Sequence, residues 1–500
     1  MIVGSLETRN QGFGAEERRG LPSGVDRVLV LGASRSGIGA ARALARSGLR
    51  VTLSDRRGPE KLPGLEGALS AGVRFVAEED LTTQWPAPDL VVKSPGVPGE
   101  AAPVIGARER GVPVWGEVEL AYALLPNPFD AVTGTNGKTT TTALLGHLFV
   151  TAGRPARVLG NIGVAVTSVA GDVAPEEELV VEVSSFQLED IHSFRPAVGV
   201  FLNLTPDHLD RHGSMARYLA CKTNLFVNQR TTDTAVLNLA DAAVAGLGAD
   251  LAARPDGPRV VFFSVYGPTV GVRGGAGGAE VAAESATLLA DSWVEGGWIF
   301  FRREPVLPVS DILLPGLHNL ENCLAAGTAA IARGVETAAV AEGLRTFAGV
   351  AHRLERAGIV SGVTYVNDSK ATNVEATLTA LRAYPRGVHL ILGGRDKASD
   401  YRPVARACAH GCKAVYLIGE ATPLIQAAFV EVRSEEGLEG PPEPGDYRDL
   451  ERAVRAAAGK AVPGDVVLLA PACASFDQYG SFEERGEHFR GIVDGLGKGV

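Results

Sequence analysis

Short, wholly apolar runs alternate along this chain with longer amphipathic stretches rich in alanine and leucine. RVLVL (Arg27–Leu31) leads into the turn GASRSGIG (Gly32–Gly39) and a helical pattern over Ala40–Ser47; RVTLS then ends at Asp55, and further short strands are expected at Val73–Val76 and Leu90–Lys93. Strands of this kind, separated by helices, predict a parallel α/β sheet. A second series begins with an apolar strand before GTNGKTTTT (Gly134–Thr142) and continues through LVVEVSS (Leu179–Ser185), AVGVFLNLT (Ala197–Thr205), TAVLNLAD and RVVFFSV, with a closing helix over Asn319–Gly334. A third runs through VTYVNDS, VHLILGG, AVYLIGE and DVVLLAP. The pattern therefore predicts an α/β protein with parallel sheets in three domains, over residues 26–118, 119–349 and 350–500. Residues 1–25 read as a disordered extension. The glycine-rich GVRGGAGGAE (Gly271–Glu280) and the proline-rich segment 433–447 read as loops.

Composition narrows the function classes. At 500 residues, 45% hydrophobic and 21% charged, the chain can bury several cores. The net charge of −10 argues against nucleic acid or an anionic membrane as the main partner. Five scattered cysteines without a CxxC pair point to free thiols in a reducing cytosol. The N-terminus lacks the apolar core of a signal peptide, and no run is long enough to span a membrane.

Several motifs carry chemistry. GTNGKTT (Gly134–Thr140) sits between a strand and a helix, where backbone N–H groups and the helix dipole favour phosphate. Lys138 would reach the β- and γ-phosphates and Thr139 would face Mg²⁺. The general phosphate-loop pattern asks for glycine at 132, where Val132 stands. Glu182, at the end of LVVEVSS, is placed to hold a metal ion opposite that threonine. The cluster Asp207, His208, Asp210 and His212 suggests a metal or phosphate site, with Lys222 on a short helix beyond it. GASRSGIG approximates a dinucleotide fingerprint, with Ser34 for the second glycine and Asp55 at the distance of a ribose-binding acid. It fits a nucleotide, a pyrophosphate or a purely structural tight turn. In the third series Arg353, Lys370 and Lys397 follow strands, where α/β folds bind ligands. Cations concentrated there in an acidic protein point to a carboxylate or phosphate ligand.

Taken together, GTNGKTT, NDSKATN (Asn367–Asn373), GGRDK (Gly393–Lys397) and APACASFDQ (Ala470–Gln478) resemble the muramyl-ligase family, over about residues 26–500. NDSKATN and APACASFDQ are similar to its D-glutamate-adding branch rather than to the branch adding diaminopimelate or lysine. The resemblance implies an ADP-forming ligase of peptidoglycan precursor synthesis, which joins D-glutamate to UDP-N-acetylmuramoyl-L-alanine through an acyl phosphate. It implies a cytoplasmic monomer that uses ATP and two Mg²⁺ ions, without nucleic-acid or membrane partners. Ser36, Asp55, Arg56, Ser94, Gly96 and Asn161 would hold the UDP substrate. Gly134, Thr135, Asn136, Gly137, Lys138, Thr139, Thr140, Asn319, Asn322, Arg353 and Asp368 would hold ATP. Thr139, Glu182, His208 and Lys222 would hold metal, Lys222 as a carbamate, and Lys138, His208 and Lys222 would be catalytic. Lys370, Thr372, Lys397, Ser475 and Phe482 would hold D-glutamate. The rivals are a nicotinamide oxidoreductase built on GASRSGIG, which leaves GTNGKTT without a role, and an ATP-binding regulatory module without turnover.

Overall fold

RVLVL becomes a central strand because every residue after Arg27 is apolar and can be covered on both faces; Val28, Leu29, Val30 and Leu31 are at most 1% exposed. The computed structural model describes residues 20–161, 163–270, 288–314, 316–397, 399–434 and 440–497. Most of the anticipated N-terminal extension, the glycine-rich loop Gly271–Glu280 and residues 435–439 of the proline-rich segment lie outside the described residues.

The first sheet contains β1 (Arg27–Leu31), β2 (Arg50–Asp55), β3 (Arg74–Ala77), β4 (Leu90–Lys93) and β5 (Val114–Gly116). All pairs are parallel, in the order β3-β2-β1-β4-β5. The order reverses between β1 and β4, which opens a crevice at their carboxyl ends. Gly37, in the first turn of the helix Arg35–Arg46, lies so close to the preceding turn that a Cβ would be 1.7 Å from Gly32 O.

The second sheet begins with β6 (Phe129–Thr133), β7 (Ala156–Gly160), β8 (Glu178–Glu182), β9 (Val198–Phe201), β10 (Thr234–Asn238) and β11 (Arg259–Ser264). After a two-stranded ribbon of β12 (Thr269–Val270) and β13 (Leu288–Leu289), β14 (Ser292–Glu295), β15 (Trp298–Phe301) and β16 (Glu304–Pro308) extend it. The order is β16-β15-β14-β11-β10-β9-β6-β8-β7. The β14–β15 and β15–β16 pairings are antiparallel, a hairpin edge that the sequence pattern leaves unassigned. Gly296 and Gly297 take φ of 58° and 81°, the double positive turn that suits a two-residue hairpin. The helix Leu317–Ala332 packs on the helix Lys138–Thr151 and covers this sheet.

The third sheet holds β17 (Glu355–Val360), β18 (Val363–Asn367), β19 (Val388–Gly393), β20 (Cys412–Ile418), β21 (Gly445–Arg448) and β22 (Val466–Leu469), ordered β17-β18-β22-β19-β20-β21. Only β17 is antiparallel, at an edge where partly polar residues need no second covering layer. By internal contacts the chain forms two compact units. One spans the residues up to Ile312 and Leu317–Phe347 and carries the first two sheets; the other comprises Leu313–Gly316 and the chain from Ala348 onward. Among the described residues no helix is long and apolar enough to cross a membrane.

The contact at Gly37 is a test of this packing. Gly37→Ala should lower urea stability by about 1–3 kcal/mol, the usual cost of overpacking. Gly246→Ala, at an exposed helical glycine with nothing within 4 Å of its Cβ position, should leave stability equal or higher.

Candidate active site

β6 delivers the chain to Gly134, whose φ of 149° turns it away from the sheet, and Gly137, at φ 83°, starts the helix Lys138–Thr151. A Cβ on Gly137 would sit 2.3 Å from Asn322 Oδ1. The loop is braced from behind. Thr135 N donates to Asn203 O (3.0 Å), Asn136 N donates to Asn203 Oδ1 (2.8 Å), and Thr135 Oγ1 donates to Thr205 O (3.1 Å). Asn203 and Thr205 belong to the NLTPDH segment, and their bracing role is absent from the sequence-based site. Thr141 Oγ1 donates to Asn322 Oδ1 (3.1 Å), and Asn322 Nδ2 donates to Asn319 Oδ1 (3.2 Å). Both predicted asparagines are therefore buried behind the loop, with Asn322 shaping it.

Lys138 Nζ donates to Gly134 O (2.8 Å) and Thr135 O (2.6 Å), while Lys222 Nζ donates to the same Gly134 O (2.7 Å). The helix Met215–Thr223, capped by the Ser214 side chain, brings Lys222 there. Lys222 is 1% exposed. Burial, and after it the positive Lys138, pull its amine down from 10.5 to about 7. Glu182 pairs in register with Val132 on β6, so its carboxylate lies beside the start of the loop. Its Oε1 accepts from Asn161 Nδ2 (3.2 Å), whereas its buried Oε2 has no hydrogen-bond partner among the described residues. A buried carboxylate oxygen without a partner is costly unless a cation takes it. Thr139 and Thr140 are buried in the first turn of the helix. His208, at φ 50°, is half exposed, with its ring 5.0 Å from that of Phe186. The structure thus gathers Lys138, Glu182 and Lys222 at one loop.

In the first sheet, Asp55 accepts from Ala33 N (2.7 Å) and from Arg57 N, Nε and Nη2 (2.9, 2.9 and 3.0 Å). Burial opposes ionisation, but the Arg57 and Ala33 hydrogen bonds prevail and hold the carboxyl at about 2. Ser94 Oγ donates to Gly32 O (2.8 Å), and Ser36 lies half-buried in the first turn of the helix that follows, with Gly96 just beyond Ser94. Arg56 points the other way, to Glu78 (2.9 Å), beside a recess of about 500 Å³ lined also by Trp85 and Arg110. Arg57, in the bend just past β2, is the arginine that bonds Asp55. Asn161 lies with Glu182 rather than at this turn.

In the second compact unit, Lys397 Nζ donates to Thr372 O (3.3 Å) and Oγ1 (3.4 Å), and Lys370 Nζ lies 5.9 Å from the centre of the Phe482 ring. Arg395 and Ala474 pair through both backbone groups, which brings the GGRDK turn against the ACAS turn and its buried Ser475. The Arg395 side chain turns outward to Glu420 (3.3 Å). Asp368 accepts from Leu354 N (3.2 Å), and burial raises its carboxyl to about 6 against the pull of Arg353 and Lys370. Arg485, 1% exposed, donates to Ser369 O (2.9 Å), Cys473 O (3.2 Å) and Ala474 O (3.4 Å). It ties the turn at Ser369 and the ACAS turn to the last helix, a role that a lone arginine in FEERGEHF does not announce.

A family model for the Mur ligase middle domain matches residues 132–330, and one for the Mur ligase glutamate ligase domain matches residues 352–473. The chain belongs to the Mur ligase family. It is 44% identical to the UDP-N-acetylmuramoylalanine–D-glutamate ligase of Pelotomaculum thermopropionicum, over 95% of this chain and 98% of that protein. The ligase of the same name from Gloeobacter violaceus is 43% identical over 94% and 99%. Among solved structures, the UDP-N-acetylmuramate–alanine ligase of Thermotoga maritima aligns with a TM-score of 0.55 at 19% identity, covering 94% of this chain and 99% of that one. A pseudomurein peptide ligase type C from Methanothermus fervidus gives 0.51 at 17% identity, covering 94% and 100%. At these identities the two structures speak for the fold alone.

The Lys222 amine gives this Mur ligase a pH signature. Below about 7 both folded and unfolded chains hold the proton, and the buried ammonium weakens the folded state in full. Between about 7 and 10.5 the folded chain holds fewer protons than the unfolded one, so stability climbs with pH. In carbon-dioxide-free buffer, urea midpoints should rise over this window, and Lys222→Met should flatten that rise. Parallel curves for the two proteins would contradict the burial argument.

Proposed function

We propose that this Mur ligase joins D-glutamate to the L-alanyl carboxylate of UDP-N-acetylmuramoyl-L-alanine and cleaves ATP to ADP and phosphate, as a cytoplasmic, monomeric enzyme of peptidoglycan precursor synthesis. The observation that carries the chemistry is the meeting of Lys138, Lys222 and the unpartnered Glu182 oxygen at one glycine loop. The full-length likeness to D-glutamate ligases supports the choice of amino acid.

Residues 26–118 would hold the UDP group, through Ser36, Asp55, Arg56, Ser94 and Gly96. Asn161, which hydrogen-bonds Glu182, would contact the substrate from the loop side. Residues 119–349 would hold the triphosphate on Gly134–Thr140, and residues 350–500 would hold D-glutamate by Lys370, Thr372, Lys397, Ser475 and Phe482. Arg353 and Asp368 would contact the nucleotide. Glu182 Oε2 fits a cation, and Thr139, Glu182, His208 and Lys222 would hold two Mg²⁺ ions, which supply charge neutralisation between triphosphate and carboxylate. A largely neutral Lys222 amine can add carbon dioxide with loss of a proton, which turns it into an anionic metal ligand.

A substrate carboxylate oxygen attacks the γ-phosphorus, the bond to the β-γ bridging oxygen breaks, and ADP leaves with that electron pair. Lys138 stabilises the charge that develops on the γ-phosphoryl oxygens. The D-glutamate amine then attacks the acyl carbon, loses a proton, and phosphate departs. Lys397 and Lys370 fix the D-glutamate carboxylates by charge-assisted hydrogen bonds.

Lys138→Ala should reduce ADP release with both substrates at least about a thousandfold, at the scale of losing a transition-state charge clamp. Near-normal turnover in that variant would remove the loop from the mechanism. In a panel of amino acids D-glutamate should be the preferred acceptor, with diaminopimelate and lysine inactive. Lys397→Ala should raise the KM for D-glutamate while leaving the KM for ATP unchanged; an unchanged D-glutamate KM would contradict its assignment.

A further inference from the structure

Cys221 precedes Lys222 on the helix Met215–Thr223, and its thiol lies beside His212 and Glu189. One ligand atom each from Glu189, His212 and Cys221 falls within a group whose members all lie within 4.8 Å of one another. We propose that these three side chains form a binding site for one zinc-class divalent ion, separate from the metal positions assigned to the triphosphate.

The geometry is partly assembled. His212 Nδ1 lies 3.8 Å from Cys221 Sγ, while Nε2 is hydrogen-bonded to Ser185 Oγ at 2.9 Å. That second bond is the outer contact a metal-bound histidine typically makes, and it fixes which nitrogen is presented. The imidazole is held between two rings, stacked on Phe186 at 5.2 Å and tilted against Tyr218 at 5.0 Å. Glu189 Oε2 is braced by Lys93 (3.3 Å) and Arg211 (3.2 Å), and Oε1 has no hydrogen-bond partner among the described residues.

Bonds of about 2.0–2.3 Å to a tetrahedral zinc ion place its ligands about 3.3–3.7 Å apart. The sulfur–nitrogen pair, at 3.8 Å, must close by about 0.1–0.5 Å and the carboxylate by about 1 Å or more. A fourth position stays open for water. Thiolate and imidazole select a softer ion than magnesium, which prefers oxygen. Binding releases the Cys221 thiol proton to solvent, and the two anions then balance the ion's charge. Occupancy would tie the segment after β8 to the helix that carries Lys222.

Cobalt(II) tests the site on the intact, chelator-treated chain in excess magnesium, because a thiolate ligand produces a charge-transfer band that oxygen sites lack. The wild type should take up one cobalt ion per chain with that band, and zinc should displace it. C221S should lose the band. S185A should keep it but bind about tenfold more weakly, the scale of a lost outer contact. Absence of the band in the wild type, or its persistence in C221S, would overturn the proposal. Should C221S fail to fold, E189Q keeps the thiol and should weaken cobalt binding at least about tenfold; unchanged affinity there would equally overturn it. None of these readouts depends on ligase turnover, so they stand apart from the functional assignment.

Discussion

Two ammonium groups share the carbonyl of Gly134, and much of the central site follows from that arrangement. Lys138 and Lys222 lie against one peptide oxygen, and burial, with the repulsion of Lys138, lowers the Lys222 ammonium to about 7. Concentrated positive charge beside a row of loop N–H groups favours a polyanion. Glu182, one strand over and with one oxygen unpartnered, supplies the opposing sign that a bridging cation requires. The loop thus suits a polyanion with its counter-ions better than a neutral ligand.

Rigid support comes from neutral groups. Asn203, Thr205 and Asn322 hold the glycine loop by amide and hydroxyl bonds, which fix its shape without altering the charge presented to a ligand. In the second compact unit Arg485 does similar work with a charge. Its guanidinium is buried among carbonyl oxygens and a serine hydroxyl, and four of its five N–H groups clamp two turns together. Breaking such a set costs more than its net contribution suggests, because buried carbonyls would be left without donors.

The neighbourhood of His212 joins these themes. Phe186 stacks on His212, lies beside His208, and receives the Arg211 guanidinium over its ring at 4.0 Å. One aromatic side chain therefore orders two imidazoles and a cation between the segment after β8 and the helix bearing Lys222. Local order there comes from ring packing more than from ion pairs, which the partly exposed groups would screen.

The sequence alone determined what depends on local pattern: the alternation of buried strands and helices, the glycine loop before a helix, and the strand-end positions of Glu182, Lys370 and Lys397. Each is set by a period or a turn requirement that neighbouring residues declare. Only the tertiary structure decided pairings across distant segments. It paired Arg57 with Asp55 and Arg56 with Glu78, two neighbours in one bend whose partners lie on different elements. It placed Asn161 beside Glu182, and it moved the β14–β16 hairpin to an antiparallel edge. It set Asn203, Thr205 and Arg485 as braces, since a hydrogen bond between residues many positions apart leaves no periodic trace in the chain.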